Sequence, residues 1–335
     1  MGANESTLIT NLRFADDVLL IGRSLAQLSA MLEAVYKEAQ KVGLKLHPDK
    51  TKILTSTGRA QGRPSNRHVK IGDMSIEVLP RTSPVKYLGR QISFGALHED
   101  ELDCRLRSGW AKFTQHKQEL AGKSYSLNDR LRFFNAVITP TVLYGAECWT
   151  MTKTMDGMLQ RTQRRMLRII LGQGRRRLHM TAHELTSSGS DVQSNKGQDE
   201  EQQANESDED VEDHLEPWVE WIRRVTHSVE ASLRRLDIKS WVEQARMKKW
   251  RWAEKMWTGA EDEKWSKISF LWNPQIHYDA PKPSTRRRAA RPNTRWLDDI
   301  VKITQEVSPH SNAQTELWRD PNFWRQHEDK YVYRR

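Results

Sequence analysis

Between residues 187 and 216 the chain carries eleven acids, only Lys196 to offset them, and almost no apolar side chain. A stretch of that kind cannot bury enough surface to repay the entropy of ordering its backbone. The sequence therefore predicts a disordered acidic linker over 187–216, separating an N-terminal region from a C-terminal one. The segment is net −10 in a chain whose total is +10, so the remainder carries +20. A surplus of that size favours a polyanionic partner through counterion release, with nucleic acid the leading candidate and no sequence preference implied. The acidic stretch could itself compete for the basic surfaces on either side.

At 335 residues the chain exceeds one typical domain, and two or three units are expected. No apolar run approaches membrane-spanning length, and the first residues lack the apolar core of a signal peptide. An intracellular protein with no membrane partner is the expectation. Cys104 and Cys148 are too few for a disulfide framework or a cysteine-based zinc knuckle, and both are expected reduced.

Two adjacent carboxylates interrupt the apolar run Arg13-Phe14-Ala15-Asp16-Asp17-Val18-Leu19-Leu20-Ile21. Asp favours turns over strand interiors, so this reads as strand, turn, strand, with two short buried strands and both carboxylates at the tip. Leaving them buried and unpaired costs several kcal/mol, roughly, so they should face water, a cation or a metal. Hard oxygen ligands on a rigid turn suit Mg²⁺, although a solvated turn explains the same pair. Ser24-Leu25-Ala26-Gln27 has the form of a capping box, and Leu25, Leu28, Leu32, Val35, Ala39 and Val42 recur at helical spacing. A helix ending at Gly43 is expected, its apolar stripe lying on the sheet that carries the Asp pair. A loop and strand come next, with Lys50 and Lys52 near the strand start, then a hairpin about Gly72-Asp73 and a strand meeting a glycine turn at Val85-Lys86-Tyr87-Leu88-Gly89.

From about residue 98 the periodicity becomes helical. Leu102, Leu106, Trp110, Phe113 and Leu120 define one helical face. A second helix from Asn128 carries Leu131, Phe134, Val137 and Ile138, and Pro140 should kink or break it. A third carries Met158, Leu159, Thr162, Met166, Ile169 and Ile170, and three such helices suggest a bundle. Its opposite face bears Arg161, Arg164, Arg165 and Arg168, which suit either a solvated surface or phosphate contact. The last part of the chain holds eleven of the thirteen tryptophans. Trp241, Ala245, Trp252 and Met256 share a helical face, with Arg246, Lys248, Lys249, Arg251 and Lys255 on the others. Spaced tryptophans can fill a small helical core, and interleaved with cations they can stack bases. Asp298 and Asp299 fit a helix N-terminus.

Several of these segments match known signatures. Phe14-Ala15-Asp16-Asp17 resembles the (Y/F)-x-D-D hairpin of reverse transcriptases. Gly43 to Thr51 resembles the G-L-x-(I/L)-N-x-x-K-(T/S) segment, with His47 in place of the commoner Asn. Tyr87-Leu88-Gly89, the run Pro140 to Trp149 (P-x-L-L-Y-G-x-E-x-W), the run Arg165 to Gly172 (R-x-L-R-x-I-L-G) and the stretch Arg286 to Trp296 come in the order found in non-LTR (LINE-type) retrotransposon reverse transcriptases, which they resemble. The resemblance covers nearly the whole chain outside the acidic insert and the first few residues.

It implies an α+β fold with four segments: part of a palm at 1–95 with a small antiparallel sheet and a packed helix, a helical thumb at 96–186, the linker at 187–216, and a basic tail at 217–335. It implies RNA-directed DNA synthesis with RNA and DNA as template and primer, and two Mg²⁺ ions clamping the attacking and leaving oxygens between three carboxylates. In that resemblance Asp16 binds metal beside Asp17, and the remaining carboxylate comes from an upstream palm strand. Lys50 lies near the phosphates of the incoming nucleotide, and Tyr87, Leu88 and Gly89 support the primer end. Arg161, Arg164, Arg165, Arg168, Arg286, Arg287 and Arg288 are the expected nucleic-acid contacts. Only thirteen residues precede Phe14, so the expectation is the later part of such a polymerase, inactive alone. A non-enzymatic nucleic-acid-binding protein or relic is the alternative, and association with a separately encoded palm and fingers stays open. Either reading places the protein in a nuclear or cytoplasmic ribonucleoprotein, with Arg286 to Arg288 beside Lys282 suiting nuclear import or RNA contact.

Overall fold

The computed structural model describes residues 9–56, 68–95, 97–180, 212–259, 267, 295–309 and 314–334. The fold is α+β, with most of its small sheets in the first hundred residues and helices thereafter. Contacts divide the chain into two interleaved units. One gathers Met1–Lys112, Ile138–Gln160 and Ser240–Arg335, the other Phe113–Val137 and Arg161–Lys239. Among the described residues no helix is long and apolar enough to cross a membrane.

In the first unit, β1 (Asn11–Phe14) and β2 (Asp17–Leu20) form an antiparallel ribbon. Helix α1 (Leu25–Lys41) comes next. The Ser24 hydroxyl accepts from the Gln27 N–H at 3.1 Å, and the Gln27 side chain accepts from the Arg23 N–H at 2.8 Å. The return bond of the capping box thus lands one residue before the N-cap. The helix stops at Val42, and Gly43 takes the left-handed conformation (φ 76°) that commonly ends helices.

Strands β3 (Ile53–Leu54), β4 (His68–Ile71) and β5 (Met74–Leu79) make a sheet of order β3-β5-β4. The β4–β5 hairpin turns at Gly72-Asp73 as the sequence predicts, but β3 pairs with β5 in parallel, so the sheet is mixed rather than antiparallel. Ile53, Ile71, Ile76 and Val78 are buried with Leu32 of α1, and Leu28 and Tyr36 pack on the same cluster. Each fully buried aliphatic contributes about 1.5–3 kcal/mol. The helix therefore covers β3-β5-β4, while the Asp pair belongs to the separate β1–β2 ribbon, which joins the cluster through Leu20. The turn requires glycine at 72: its φ is +56°, and a Cβ there would lie 2.5 Å from the Tyr36 ring. The Tyr36 hydroxyl donates to Asp73 at 2.6 Å, locking helix to turn.

Strands β6 (Val85–Tyr87) and β7 (Arg90–Ile92) form a tight hairpin. Helices α2 (Leu97–Gln115), α3 (Lys117–Ala121), α4 (Leu127–Val142) and α5 (Lys153–Leu171) come after it, with a 3-10 turn at Ala146–Cys148. Pro140 sits in the last turn of α4, which ends two residues later, so it marks the end of the helix. On α5 the buried residues include Met155, Leu159, Gln163, Met166, Leu167 and Ile170, while Ile169 is exposed.

In the second unit β8 (Arg177–Met180) pairs with β9 (Glu212–Leu215) and leads into α6 (Trp218–Arg235). The predicted acidic linker lies largely outside the described residues, but its last residues form β9. Glu216 holds Arg224 at 2.8 Å and accepts from the Arg176 N–H at 3.1 Å; the Arg224 hydrogen bond draws its carboxyl down to about 2.

The C-terminal helices belong to the first unit. They are α7 (Trp241–Thr258), α8 (Asp298–Val307), α9 (Gln314–Leu317) and α10 (Pro321–Val332). Here the tryptophans are core. Trp241, Trp250, Trp257, Trp318 and Trp324 are buried, and Trp250 stacks on Tyr331 with ring centroids 4.7 Å apart. The indole N–H groups of Trp250 and Trp324 find partners inside: Trp250 donates to the Trp324 carbonyl and Trp324 to the Trp318 carbonyl, each at 2.7 Å. Two residues depart from the expected faces of α7, for Trp252 is exposed and Lys249 is buried. Lys249 reaches Asp299 at 2.9 Å, and the same carboxylate accepts from Tyr331 at 2.8 Å and Arg334 at 2.7 Å. Asp298 does open its helix, accepting from the preceding Arg295 N–H at 2.7 Å, whereas Asp299 ties three elements together.

Burial pushes the Asp299 carboxyl up, but the Lys249 and Arg334 charges outweigh it and hold it below its ordinary value. Asp299→Asn strands Lys249 and should cost about 3–5 kcal/mol in urea unfolding near neutral pH. Because the folded-state value is depressed, the wild-type advantage is present above about pH 4 and should shrink as the pH falls further.

Candidate functional site

The Asp pair sits on the β1–β2 ribbon. Phe14 pairs with Asp17, leaving Ala15 and Asp16 as a two-residue turn with Ala15 at φ 53°. Asp16 is at the tip, and Asp17 is the first residue of β2. Both are exposed. The flanking strands, expected to be buried, are also exposed: Phe14 is 65% accessible, and Leu12, Val18 and Ile21 are open too. A two-stranded ribbon has two faces, and among the described residues only Leu20 at its base meets a core. Its alternating pattern therefore lacks the cover that burial requires. Lys50 is exposed in the turn before β3, with its N–H bonded to the His47 carbonyl at 3.2 Å.

The metal expected of the resemblance needs three carboxylates. Among the described residues no group of three His, Cys, Asp or Glu side chains is placed to hold an ion. Asp16 and Asp17 by themselves do not fit a two-metal centre.

The Tyr87-Leu88-Gly89 turn is held firmly. Leu88 (φ 47°) and Gly89 (φ 78°) are both left-handed, the conformation of a primed two-residue hairpin turn. The Tyr144 hydroxyl donates to the Leu88 carbonyl at 3.0 Å, and the Arg105 guanidinium donates to the Gly89 carbonyl while lying 4.6 Å over the Tyr144 ring. A Cβ at residue 89 would come within 3.2 Å of Tyr144. Glu101, fully buried, organises the rest: it accepts from Arg105 at 2.8 Å and from the Gln91 N–H at 2.6 Å, with Arg90 at 3.8 Å. Two motifs more than fifty residues apart, Tyr87-Leu88-Gly89 and Tyr144-Gly145, thus form one assembly. A third joins through Trp296, which donates to the Glu147 carbonyl at 2.7 Å.

In the second unit Arg161, Arg164, Arg165 and Arg168 line one wall of an open cleft of about 700 Å³, and Arg223, Thr226, His227 and Glu230 of α6 line the other. Arg164 pairs with Glu230 at 2.8 Å, and Arg168 donates to Thr226 at 3.3 Å. Burial and the neighbouring Arg164 and Arg165 charges push Arg168 below its ordinary value. Arg286, Arg287 and Arg288 lie outside the described residues.

Sequence reasoning missed Glu101, Arg105 and the α6 wall. The signals were present as the i, i+4 pair Glu101 and Arg105 and as Arg223, Thr226, His227 and Glu230 at the spacing of the α5 arginines. Arg105→Met should cost about 3–5 kcal/mol in denaturant unfolding by leaving buried Glu101 short of a partner. Tyr144→Phe, which deletes a single hydrogen bond at an exposed ring, should cost only about 1 kcal/mol.

Residues 3–92 match the reverse transcriptase (RNA-dependent DNA polymerase) family. That family uses metal ions and acts on nucleic acid. Half of the chain also aligns, at 33% identity over 177 residues, with an uncharacterized transposon-derived protein of Caenorhabditis elegans, and the match spans 60% of that protein's length. No solved structure matches the chain.

Proposed function

We propose that the chain is part of the RNA-directed DNA polymerase of a non-LTR retrotransposon, with 1–95 contributing to the palm, 96–186 the thumb, 187–216 a linker and 217–335 a basic tail. The observation that carries this reading is the Asp16-Asp17 hairpin inside a segment that matches reverse transcriptases. The held turn at Leu88-Gly89 and the arginine cleft support it as surfaces for primer and backbone. Asp16 and Asp17 supply two of the carboxylates for Mg²⁺, and the third lies outside the described residues. Lys50 serves the incoming nucleotide, and Arg286 to Arg288 add a further contact to RNA or DNA.

On this reading the residues described cannot polymerise unaided. The purified chain should give no primer extension on an RNA template with Mg²⁺. Adding a reverse transcriptase palm and fingers segment that carries a further carboxylate should give extension, and Asp16→Ala should reduce it by at least about a hundredfold. Extension indifferent to Asp16 would refute the assignment. The exposed ribbon favours a second reading, a nucleic-acid-binding protein without catalysis, which predicts salt-sensitive binding but no extension in either format.

A further inference from the structure

The α5 arginines occupy positions i, i+3, i+4 and i+7, and so do Arg223, Thr226, His227 and Glu230 on α6. Each set makes a single stripe along its helix, and the two stripes face each other across one cleft. From Arg161 to Arg168 the stripe runs about 10 Å along the helix axis. At about 3.4 Å of axial rise per phosphate, that spans some three phosphates of one strand. Charge is unbalanced across the cleft, with five arginines against the single carboxylate of Glu230, which is engaged by Arg164 at 2.8 Å.

We propose that α6 supplies the second wall of a nucleic-acid backbone site, with Arg223 and His227 contacting phosphates opposite the α5 arginines and Glu230 acting as the resident anion that an incoming phosphate must displace from Arg164. Arginine forks match phosphate oxygens in bidentate geometry, which favours a phosphodiester over a lone carboxylate. The proposal rests on the reading that this protein binds nucleic acid and adds where and with which residues. Glu230 weakens the site by competing for Arg164, so removing its charge should tighten binding rather than loosen it.

The test is fluorescence anisotropy of a short labelled RNA–DNA hybrid with the full chain across a sodium chloride series. Arg161→Gln and Arg223→Gln, both at exposed positions, should each weaken binding and each lower the salt slope by about one. Glu230→Gln should tighten binding about two- to five-fold. Lys41→Ala on α1 serves as a charge-matched control outside the cleft. Far-ultraviolet circular dichroism of every variant confirms that the helices persist. Wild-type binding that is unchanged in both arginine variants would overturn the cleft while leaving the polymerase reading untouched. A Glu230→Gln chain that binds more weakly would overturn the role given to Glu230. Displacement of the hybrid as readily by polyglutamate of equal charge would overturn the proposal in favour of an acidic peptide. Failure of the wild-type chain to bind the hybrid at any salt would overturn both the site and the reading beneath it.

Discussion

The carboxylate of Glu101 is the point on which the candidate site depends. It lies fully buried, and a buried charge persists only when cations and N–H groups surround it. Glu101 meets that demand with Arg105, with Arg90 and with the backbone of Gln91, so helix α2 and the β6–β7 hairpin become one piece. Arg105, held in place, can then bind the Gly89 carbonyl and lie on Tyr144, which in turn binds Leu88. A turn with two consecutive left-handed residues, one of them Leu, is costly alone. Here it is fixed from two sides.

The same logic extends outward from Tyr144. Trp296 caps the Glu147 carbonyl, Lys249 lies 4.8 Å over the Trp296 ring, and Asp299 gathers Lys249, Tyr331 and Arg334. Signatures scattered from residue 87 to residue 299 therefore owe part of their pattern to packing. The run Tyr144-Gly145-Ala146-Glu147-Cys148-Trp149 is such a structural joint: Trp149 is buried, and Gly145 is left-handed with Arg90 against it.

How much of this could be read from the residues differs by element. Helix α1, the Gly72 hairpin and the Leu88-Gly89 turn were legible because their signals are local: a cap, a period of 3.6, a glycine where φ must be positive. The exposure of Leu12, Phe14 and Val18 was not, because alternation says that a strand can be half buried without saying whether a partner covers it. Lys249 reads as surface in the sequence because a cation on a helix usually is; only the fold brings Asp299 to it. The α5 arginines were legible as a stripe, but their opposing wall required knowing that α6 lies across from them. For the tryptophans composition left two uses open, and burial decides for a core at Trp241, Trp250, Trp257, Trp318 and Trp324.

In the proposed polymerase the first hundred residues, where the Asp16-Asp17 hairpin and the Leu88-Gly89 turn lie, meet the end of a growing strand. Photocrosslinking tests it most directly, with 4-thiothymidine at the 3′ terminus of a primer annealed to an RNA template and the adducts mapped by mass spectrometry. Adducts are expected at Tyr87, Leu88 or Gly89 when the thionucleotide is terminal, and their loss when it is moved well inside the duplex. Terminal adducts confined to residues beyond 95 would contradict it.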